Sequence, residues 1–533
     1  MKNVSEQLIS DLIKQGVDTF FGIQGGACAR LVEDVIKFNG KFIPVLNEQS
    51  AGYYAHGYFM ATKKTAGLIF TTGPGLTNGV SGIAACYYDR VPLVTLVGQV
   101  PTRLNISKKT RTRMVGFQEL PHLEICKPIS DFTFKVDNIK SFKDNRSKIL
   151  SNLNSKVQII EVLDDVQRMK INNVKNYKRK KIINKNFSLN RGLQKIIETS
   201  KDPIILLGAG FSRSKNERQL LKKLRKKNIR FACTWGAQNI QKYVTPSDNY
   251  LGIFGNHNPG FANNKIKKSD LIISLGCSLL QHQVGKNYND FAPLAKVIFV
   301  NDDLNECKRA KKQFGRRLNI VNIKASSFLF GLKKFKFKPK KLTRNESPIN
   351  AYPVKILQRL MEKVNKDSLF FSDAGATLSW TYQAANNLIK CPQIFTSFNL
   401  HSMGYANCAA IGAAIKRKNI FCIIGDGSVP MNSQEMFWLK KFPVKMIIID
   451  NKGYGIIRQT QRLFYKSKFI GSDFKNRKSS LPKFNVKNII DVFKVPTKIV
   501  NLKNFNKDLN WFLKQKKSCV LIANIDYNLE VKT

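Results

Sequence analysis

Residues 421–461 read FCIIGDGSVPMNSQEMFWLKKFPVKMIIIDNKGYGIIRQTQ. Two apolar runs in this stretch are typical of buried strands in a parallel sheet, and the segment between them predicts a helix. The first run breaks at Gly-Asp-Gly, residues 425–427, and the second ends at Asp450-Asn451. Because ligands bind at the carboxyl ends of parallel strands, we expect Asp426 and Asn451 to lie together at one edge of a sheet.

Asp426 and Asn451 would supply hard oxygen ligands at that edge. Mg²⁺ prefers octahedral oxygen coordination shared between protein, water and a diphosphate. Helices that start at the same edge would aim backbone N–H groups at phosphate. Gly-Asp-Gly alone is also ordinary turn chemistry. Its pairing with a second strand that ends in Asp-Asn favours a metal and diphosphate site.

Length and composition predict a soluble protein of several domains. The 533 residues exceed one hydrophobic core and suggest three domains, and 43% of the residues are hydrophobic. No apolar run approaches the roughly 18 residues that span a bilayer. The N-terminus has an amphipathic helix pattern without a signal-peptide core. Ten cysteines are scattered singly without a CxxC pair, which favours reduced thiols in the cytoplasm over zinc or disulfides.

The formal net charge of +53 raises the hypothesis of a nucleic-acid-binding protein. The lysines are spread along the chain, however, and do not form one patch interleaved with aromatic residues. We therefore favour a general bias in amino-acid usage and expect neither nucleic acid nor membrane as a partner. The positive electrostatic field of such a chain would still attract anionic substrates and cofactors.

A second group of motifs lies in the first 170 residues, where short apolar strands alternate with helices, as in a parallel α/β sheet. One strand ends at Asn47-Glu48-Gln49 and is followed by a helical pattern. A carboxylate there can simply be a favourable charge at a helix N-terminus. Further on, TTGPGLTNGVSGIAACYYDRVPLVTLVGQVP, residues 71–101, reads as strand, glycine-rich turn, helix and strand.

Together these motifs resemble the thiamine diphosphate (ThDP) enzymes of the acetolactate synthase type, also called acetohydroxyacid synthase large subunits. Residues 47–49 match the HEQ motif of that family, residues 71–101 its glycine-rich block, and residues 116–119, GFQE, its FQE motif. Residues 425–427 with 450–451 match its metal motif. The longer forms RTRMVGFQEL and IRQTQ look most like homologues associated with surface-sugar biosynthesis.

The resemblance implies a set of site residues. Glu48 would hydrogen-bond N1′ of the ThDP aminopyrimidine, and Gln118 would face the substrate. The expected metal ligands are Asp426, Asn451 and the backbone carbonyl of Gly453. The expected cofactor-binding residues, besides Glu48, are Thr71, Pro74, Asn78, Gly375, His401, Met403, Gly427, Ser428, Tyr454 and Gly455. Among them Met403 would bend the cofactor, and the carbonyl of His401 would accept a hydrogen bond from its amino group. The small residues in 398–414, FNLHSMGYANCAAIGAA, predict a helix that contains both.

The resemblance also implies the architecture. We expect an α/β fold of three doubly wound parallel-sheet domains: a pyrimidine-binding domain at 1–170, a Rossmann-like domain at 188–332 and a domain for diphosphate and Mg²⁺ at 349–526. Basic linkers at 174–186 and 333–348 would join them. The central domain binds FAD in acetolactate synthases. Its turn at 208–210 is a lone GxG, a weak signal, and leaves FAD open.

Some positions depart from the family pattern. The usual histidine beside Glu48 is Asn47. A tyrosine, a lysine and a tryptophan of the family are replaced by Ile23, Asp131 and Thr460, changes that we expect to alter the acceptor pocket and that put acetolactate itself in doubt as the product.

The function implied is decarboxylation of a 2-oxo acid, foremost pyruvate, with ThDP and Mg²⁺, and transfer of the two-carbon unit to a carbonyl acceptor. The active site would form between two chains of a homodimer or dimer of dimers. Two alternatives stay open. One is a 2-oxo acid decarboxylase that releases an aldehyde without carboligation, and the other is a non-catalytic basic binding protein.

Overall fold

The computed structural model describes residues 1–172, 177, 187–214, 217–245, 249–256, 258, 260–332, 335, 349–465, 468–475, 478–500 and 504–532. The two predicted basic linkers fall almost entirely outside these residues.

The N-terminal domain is a six-stranded parallel sheet with helices on both faces, joined to a short antiparallel ribbon. Its strands are β1 (Lys2–Asn3), β2 (Thr19–Gly22), β3 (Lys41–Pro44), β4 (Ala66–Phe70), β5 (Leu93–Gln99), β6 (Phe132–Val136), β7 (Val157–Leu163) and β8 (Lys170–Ile171). Its helices are α1 (Val4–Lys14), α2 (Ala29–Lys37), α3 (Glu48–Thr62), α4 (Pro74–Tyr88), α5 (Ser107–Thr110), α6 (His122–Cys126), α7 (Ile139–Asn152) and α8 (Asp164–Arg168). The sheet order is β3-β2-β4-β5-β7-β6, and β1 pairs with β8.

The central domain has a second parallel sheet, in the order β11-β10-β9-β12-β13-β14. Its strands are β9 (Pro203–Leu207), β10 (Arg230–Cys233), β11 (Tyr250–Ile253), β12 (Leu271–Leu275), β13 (Lys296–Val300) and β14 (Leu318–Val321). Its helices are α9 (Arg191–Thr199), α10 (Ala209–Ser212), α11 (Glu217–Arg225), α12 (Phe261–Lys267), α13 (Gln281–Val284), α14 (Leu304–Phe314) and α15 (Ala325–Gly331).

The C-terminal domain repeats this architecture, with the sheet order β16-β15-β17-β18-β20-β19. Its strands are β15 (Leu369–Ser372), β16 (Gln393–Phe395), β17 (Ile420–Gly425), β18 (Lys445–Asp450), β19 (Thr497–Val500) and β20 (Cys519–Asn524). Its helices are α16 (Tyr352–Lys363), α17 (Ala376–Asn386), α18 (Tyr405–Ala414), α19 (Gly455–Thr460), α20 (Val486–Val492) and α21 (Phe505–Lys514). The prediction of three doubly wound α/β domains is confirmed, whereas their exact boundaries stay a prediction.

β17 and β18 are adjacent and parallel, with Gly425 opposite Ile449. The two polar strand ends therefore lie side by side, as their sequence predicts. The segment between them is a 3₁₀ helix, Asp426–Lys440, interrupted at Asn432, and not a regular α-helix. Pro430 inside this segment lacks the N–H that an α-helix would need.

The two outer domains meet where α3 packs against α18 with main chain touching main chain. A Cβ added to Gly57 would stand 1.9 Å from the carbonyl oxygen of Ala409, and one on Gly412 would stand 2.2 Å from that of Tyr54. A side chain at either glycine would push the helices apart.

All ten cysteines are buried and free. Within the described residues, no helix combines the length and apolar character required to cross a membrane.

Candidate active site

Glu48 is the first residue of α3 and lies just beyond the carboxyl end of β3. Asn47 caps the helix, because its side-chain oxygen accepts the Gln49 N–H at 2.9 Å. Glu48 is only 9% exposed, and its Oε2 accepts a hydrogen bond of 3.1 Å from Asn78 Nδ2. The structure thus brings together two of the predicted cofactor residues.

Thr71 is packed between Gly25 and Gly75, and at neither glycine is there room for a side chain. A Cβ on Gly25 would stand 2.7 Å from Thr71 Cβ, and one on Gly75 would stand 2.9 Å from Thr71 Cγ2. Pro74 is exposed and begins α4 after a glycine whose φ is +69°. Thr71, Pro74 and Asn78 therefore follow one another along a single turn and the helix that it opens.

Gln118 lies against the same turn in an unusual backbone conformation. Its φ is +61°, which is uncommon for a residue other than glycine and is a form of strain found at functional sites. Its carbonyl oxygen accepts the Thr72 hydroxyl at 2.8 Å. A Cβ on Gly73 would come within 2.9 Å of Gln118 Cβ. The residue predicted to face the substrate is thus adjacent to the predicted pyrimidine turn.

A buried hydrogen-bond network that the sequence analysis missed supports this turn. His122 is fully buried, and its Nε2 accepts the Gly73 N–H at 3.1 Å while its Nδ1 lies 2.8 Å from Glu161 Oε2. Gln99 Nε2 donates to the same carboxylate oxygen at 3.0 Å, and Gln99 Oε1 lies 3.0 Å from the Thr72 hydroxyl oxygen. These buried polar side chains therefore fix the turn before Pro74.

Asp426 organises the predicted metal loop, residues 451–454, which follows β18. Its Oδ1 accepts the Asn451 N–H at 3.3 Å, and its Oδ2 accepts the Gly453 N–H at 2.7 Å. The carboxylate is almost completely buried, and this burial, together with the nearby Asp450, raises its pKa to about 7. The structure thus gathers the three predicted metal ligands around one buried carboxylate.

Arg458, which the sequence analysis also missed, holds the loop from the other side. It is 1% exposed, and its Nη2 donates to the Asn451 carbonyl at 2.8 Å and to the Tyr527 carbonyl at 2.9 Å. Its Nη1 donates to the Lys452 carbonyl at 3.0 Å. The guanidinium carbon also lies 3.9 Å from the centroid of the Tyr527 ring. This buried cation fixes the backbone that carries the predicted metal ligands.

The predicted diphosphate residues lie around the same two strand ends. A Cβ on Gly427 would stand 2.5 Å from the Tyr454 ring, and one on Gly455 would stand 2.0 Å from Asn451 Nδ2. Ser428 is buried, and Gly375 has a φ of +82° at the start of α17. Glycines at 427 and 455 thus allow Tyr454 and Asn451 to pack directly against the backbone at the two strand ends.

His401 and Met403 lie in a turn and not in the helix that the sequence pattern indicated for 398–414. The helix α18 begins only at Tyr405, because His401 and Gly404 have φ values of +51° and +75°. Asp373 stabilises the start of α18: its carboxylate accepts the N–H groups of Gly404 at 3.1 Å and Ala406 at 2.8 Å. Burial raises the pKa of Asp373 to about 6.

The predicted residues form two groups, one in each outer domain, and Glu435 connects them. Its Oε1 accepts the N–H groups of Leu46 at 2.8 Å and Asn47 at 3.2 Å, and its Oε2 accepts the Tyr54 hydroxyl at 2.8 Å. The backbone directly before Glu48 is thus held by a fully buried carboxylate of the C-terminal domain.

Asp131 lies away from the Gln118 turn of the same chain. It precedes β6, pairs with Lys156 at 2.9 Å and accepts the Val157 N–H at 2.9 Å. This is the amino end of the strand, opposite to the edge that carries the Gln118 turn. Ile23 follows β2 and is half-buried, and Thr460 ends α19.

A cavity opens at the carboxyl ends of the central sheet, the position where open α/β sheets bind ligands. Its lining includes Ala209 and Gly210 of the turn at 208–210, Arg213, Gly276 and Asp302, together with Phe398 of the C-terminal domain. The GxG turn at 208–210 therefore lies at this cavity.

Family models match most of the chain. Residues 2–122 match the thiamine pyrophosphate enzyme N-terminal TPP binding domain, residues 163–320 its central domain and residues 373–523 its C-terminal TPP binding domain. Thiamine pyrophosphate (TPP) is another name for ThDP.

Curated relatives align along nearly the whole length. The chain is 28% identical over 507 residues to the probable acetolactate synthase large subunit of Methanococcus aeolicus, covering 87% of this chain and 83% of the relative. It is 25% identical over 488 residues to acetolactate synthase isozyme 2 large subunit of Escherichia coli (strain K12), covering 88% and 86%. It is 27% identical over 509 residues to the acetolactate synthase large subunit of Cyanidium caldarium, covering 87% and 84%.

Proposed function

Because the chain belongs to the thiamine pyrophosphate enzymes and is acetolactate synthase-like, we propose that it decarboxylates a 2-oxo acid, foremost pyruvate, and transfers the two-carbon unit to a carbonyl acceptor. The observation that carries this proposal is the buried Asp426 carboxylate, which holds the N–H groups of Asn451 and Gly453 at two adjacent strand ends. Glu48, at the start of a helix in the other outer domain, supplies the second buried carboxylate.

The residues of the metal loop fit a divalent cation bound to a diphosphate. The donor set is oxygen from Asp426, Asn451 and the Gly453 backbone, which matches the preference of Mg²⁺. Burial raises the pKa of Asp426, and a bound cation would offset that cost by stabilising the carboxylate. Gly427, Ser428, Tyr454, Gly455 and Gly375 would hold the diphosphate, an assignment supported by their positions after the carboxyl ends of β15, β17 and β18.

The chain's own residues would orient the cofactor and move protons. Bound ThDP would supply an electron-accepting thiazolium that allows CO₂ to leave a 2-oxo acid. Glu48 would hold a proton at N1′ of the aminopyrimidine, and Asn78 keeps its carboxylate in place. Met403 and the carbonyl of His401 would set the angle between the two rings of the cofactor.

Substrate contacts would come from the Gln118 side. Its strained backbone and its contact with the turn before Pro74 support a role at the substrate, next to Thr71 and the pyrimidine. Ile23 and Thr460 remain candidates for shaping the acceptor pocket. The acceptor would be a 2-oxo acid, an aldehyde or a nucleotide keto-sugar.

We further propose that the enzyme acts as a homodimer or dimer of dimers in the cytoplasm. The site would lie between two chains, with Glu48 from one and the metal loop from the other. Ten free, buried cysteines fit a reducing compartment.

The test is mass spectrometry of bound cofactor combined with turnover of pyruvate against aldehyde, ketone and nucleotide keto-sugar acceptors. A condensation product that requires the acceptor supports carboligation. Acetaldehyde at the same rate with and without every acceptor would instead support the simple decarboxylase. Released FAD would assign the central cavity to a flavin.

The alternative function, that of a non-catalytic basic binding protein, is tested separately. Retention on DNA at physiological ionic strength, with no ThDP bound and no pyruvate consumed, would overturn the enzymatic proposal in its favour.

A further inference from the structure

A buried polar cluster at the junction of the domains is used by none of the steps above. It consists of Asp89, His56 and Tyr405, which are at most 3% exposed. Asp89 follows α4, His56 lies in α3 and Tyr405 begins α18. The central domain joins the cluster through Arg213, whose Nη1 donates to the Asp89 carbonyl at 2.7 Å.

The hydrogen bonds of the cluster have a defined direction. His56 Nε2 lies 3.0 Å from Asp89 Oδ2, and a carboxylate only accepts, so Nε2 carries the proton. His56 Nδ1 then accepts the Tyr405 hydroxyl at 2.7 Å. Burial raises the pKa of Tyr405 well above its usual value, so this hydroxyl remains a donor. The three groups thus form one chain from Tyr405 through His56 to Asp89.

The Asp89 carboxylate also binds the segment 398–404, which contains His401 and Met403. Oδ2 accepts the Phe398 N–H at 2.7 Å, and Oδ1 accepts the Asn399 N–H at 3.0 Å and Asn399 Nδ2 at 2.8 Å. Asp373 holds the other end of the segment through the N–H of Gly404. One buried carboxylate from each outer domain therefore fixes this segment.

The placement of Asp89 is energetically costly unless these bonds form. A carboxylate at the carboxyl end of a helix faces the negative end of the helix dipole, and burial adds a desolvation cost. The two backbone N–H groups, the Asn399 amide and the His56 imidazole offset that cost. The carboxylate and the 398–404 segment therefore stabilise each other, and loss of one charge would release the segment.

We propose that Asp89, His56 and Tyr405 are positioning residues that fix the 398–404 segment and, through it, the conformation of the bound cofactor. The inference rests on the proposed function, because it takes His401 and Met403 as cofactor contacts. It adds residues that touch neither cofactor nor substrate and that act through the backbone of this segment.

The experiment compares Asp89→Asn, His56→Ala and His56→Gln with the control Cys86→Ala in the full-length protein. Cys86 is buried in α4 and its thiol contacts the Gly52 carbonyl, so its loss perturbs the same helix pair but not the segment. For each variant, ThDP affinity, kcat, KM for pyruvate, melting temperature and hydrogen exchange of the peptide covering 397–404 are measured.

Asp89→Asn should raise the ThDP Kd and lower kcat by about tenfold or more, since it replaces a charged acceptor of several bonds. KM for pyruvate should stay within about twofold, and the 397–404 amides should exchange faster. His56→Gln, whose amide can still donate to Asp89, should retain more activity than His56→Ala. Cys86→Ala should lower only the melting temperature.

The proposal is overturned if Asp89→Asn lowers the melting temperature as Cys86→Ala does, yet keeps the parental ThDP Kd, kcat and exchange rates. That result would leave the proposed function intact, because the parental protein would still bind ThDP and turn over pyruvate. A parental protein that binds no ThDP would refute the proposed function itself.

Discussion

The Glu435 carboxylate accepts the backbone N–H of Leu46 at 2.8 Å, across the boundary between the two outer domains. Through this bond and those to Asn47 and Tyr54, the C-terminal domain holds the residues that lead into Glu48. The two groups of predicted site residues are thereby connected within a single chain by a carboxylate outside both groups.

Glu435→Ala should lower both stability and turnover, because it leaves the N–H groups of Leu46 and Asn47 without their acceptor. The fully buried Tyr54 hydroxyl would lose its acceptor as well, and one buried unsatisfied group costs roughly 1–3 kcal/mol. Glu435→Gln, which retains one carbonyl oxygen, should be milder. Thermal unfolding and pyruvate consumption measure the two effects, and equal behaviour of the two variants would show that the carboxylate is not needed as an acceptor.

Glu48→Gln should bind ThDP and yet lose most turnover. The amide keeps the shape of the side chain but cannot act as an acid or base toward the cofactor. A positioned acid or base contributes about 10²–10⁴-fold in rate. Cofactor titration by fluorescence and steady-state kinetics separate binding from catalysis. A turnover rate near that of the parent would mean that the proton-transfer role is wrongly assigned.

Asp426→Ala should weaken Mg²⁺ and ThDP binding together, by at least about 100-fold, since even outer-shell partners of a metal contribute 10–100-fold. The control is Asp491→Ala, an exposed carboxylate of the same domain that pairs with Lys487. Calorimetric titration with each ligand measures the loss. Unchanged affinity would remove Asp426 from the metal site.

Arg458→Met should destabilise the metal loop, because it removes the donor to the carbonyls of Asn451, Lys452 and Tyr527. Loss of a buried charge with several acceptors costs roughly 3–5 kcal/mol. The Mg²⁺ concentration that supports half-maximal turnover should rise as well. Arg462→Ala is the matched control, because Arg462 lies nearby and forms an exposed pair with Glu530. If both variants require the same Mg²⁺ concentration as the parent, Arg458 does not support the metal loop.

Asp373 should make the apo protein's stability depend on pH in a defined direction. Its pKa is about 6 in the fold and 3.8 as a free side chain, because burial disfavours the charge. The folded state therefore binds the proton more tightly, and this group's stabilising contribution is largest below pH 3.8 and is lost as pH rises through 6. The full difference is about 3 kcal/mol.

Asp373→Asn removes this titration. The stability of the parent relative to Asp373→Asn should therefore increase as the pH falls from 7 to 4, measured as the difference in melting temperature at each pH. A difference that stays constant across this range would show that Asp373 does not titrate with a raised pKa.

Sequence reasoning predicted the fold well because the strands are continuous apolar runs with glycine-rich ends. β17 and β18 lie side by side, as expected. It failed for 398–404, where small residues suggested a continuous helix. The positive φ values of His401 and Gly404 depend on bonds to Asp89 and Asp373, which come from distant parts of the chain.

The supporting residues were harder to find than the motif residues. Glu435, Arg458 and His122 act through hydrogen bonds to backbone groups, and no spacing in the sequence marks such partners. The only local signal is an ionisable residue in an apolar neighbourhood, as for Glu435 before Met436 and Phe437. Only the three-dimensional structure shows that these side chains are buried and that water is thereby removed as a competing partner.

The contact of main chain with main chain at Gly57 and Gly412 has a consequence for how the protein can vary. The spacing of the two outer domains is set by peptide groups, whose size is the same in every protein, and not by the volume of any side chain. Substitutions in either hydrophobic core can alter that domain's melting without changing the distance at which α3 and α18 pack. Divergence of the cores is thus uncoupled from the way the two outer domains meet within one chain.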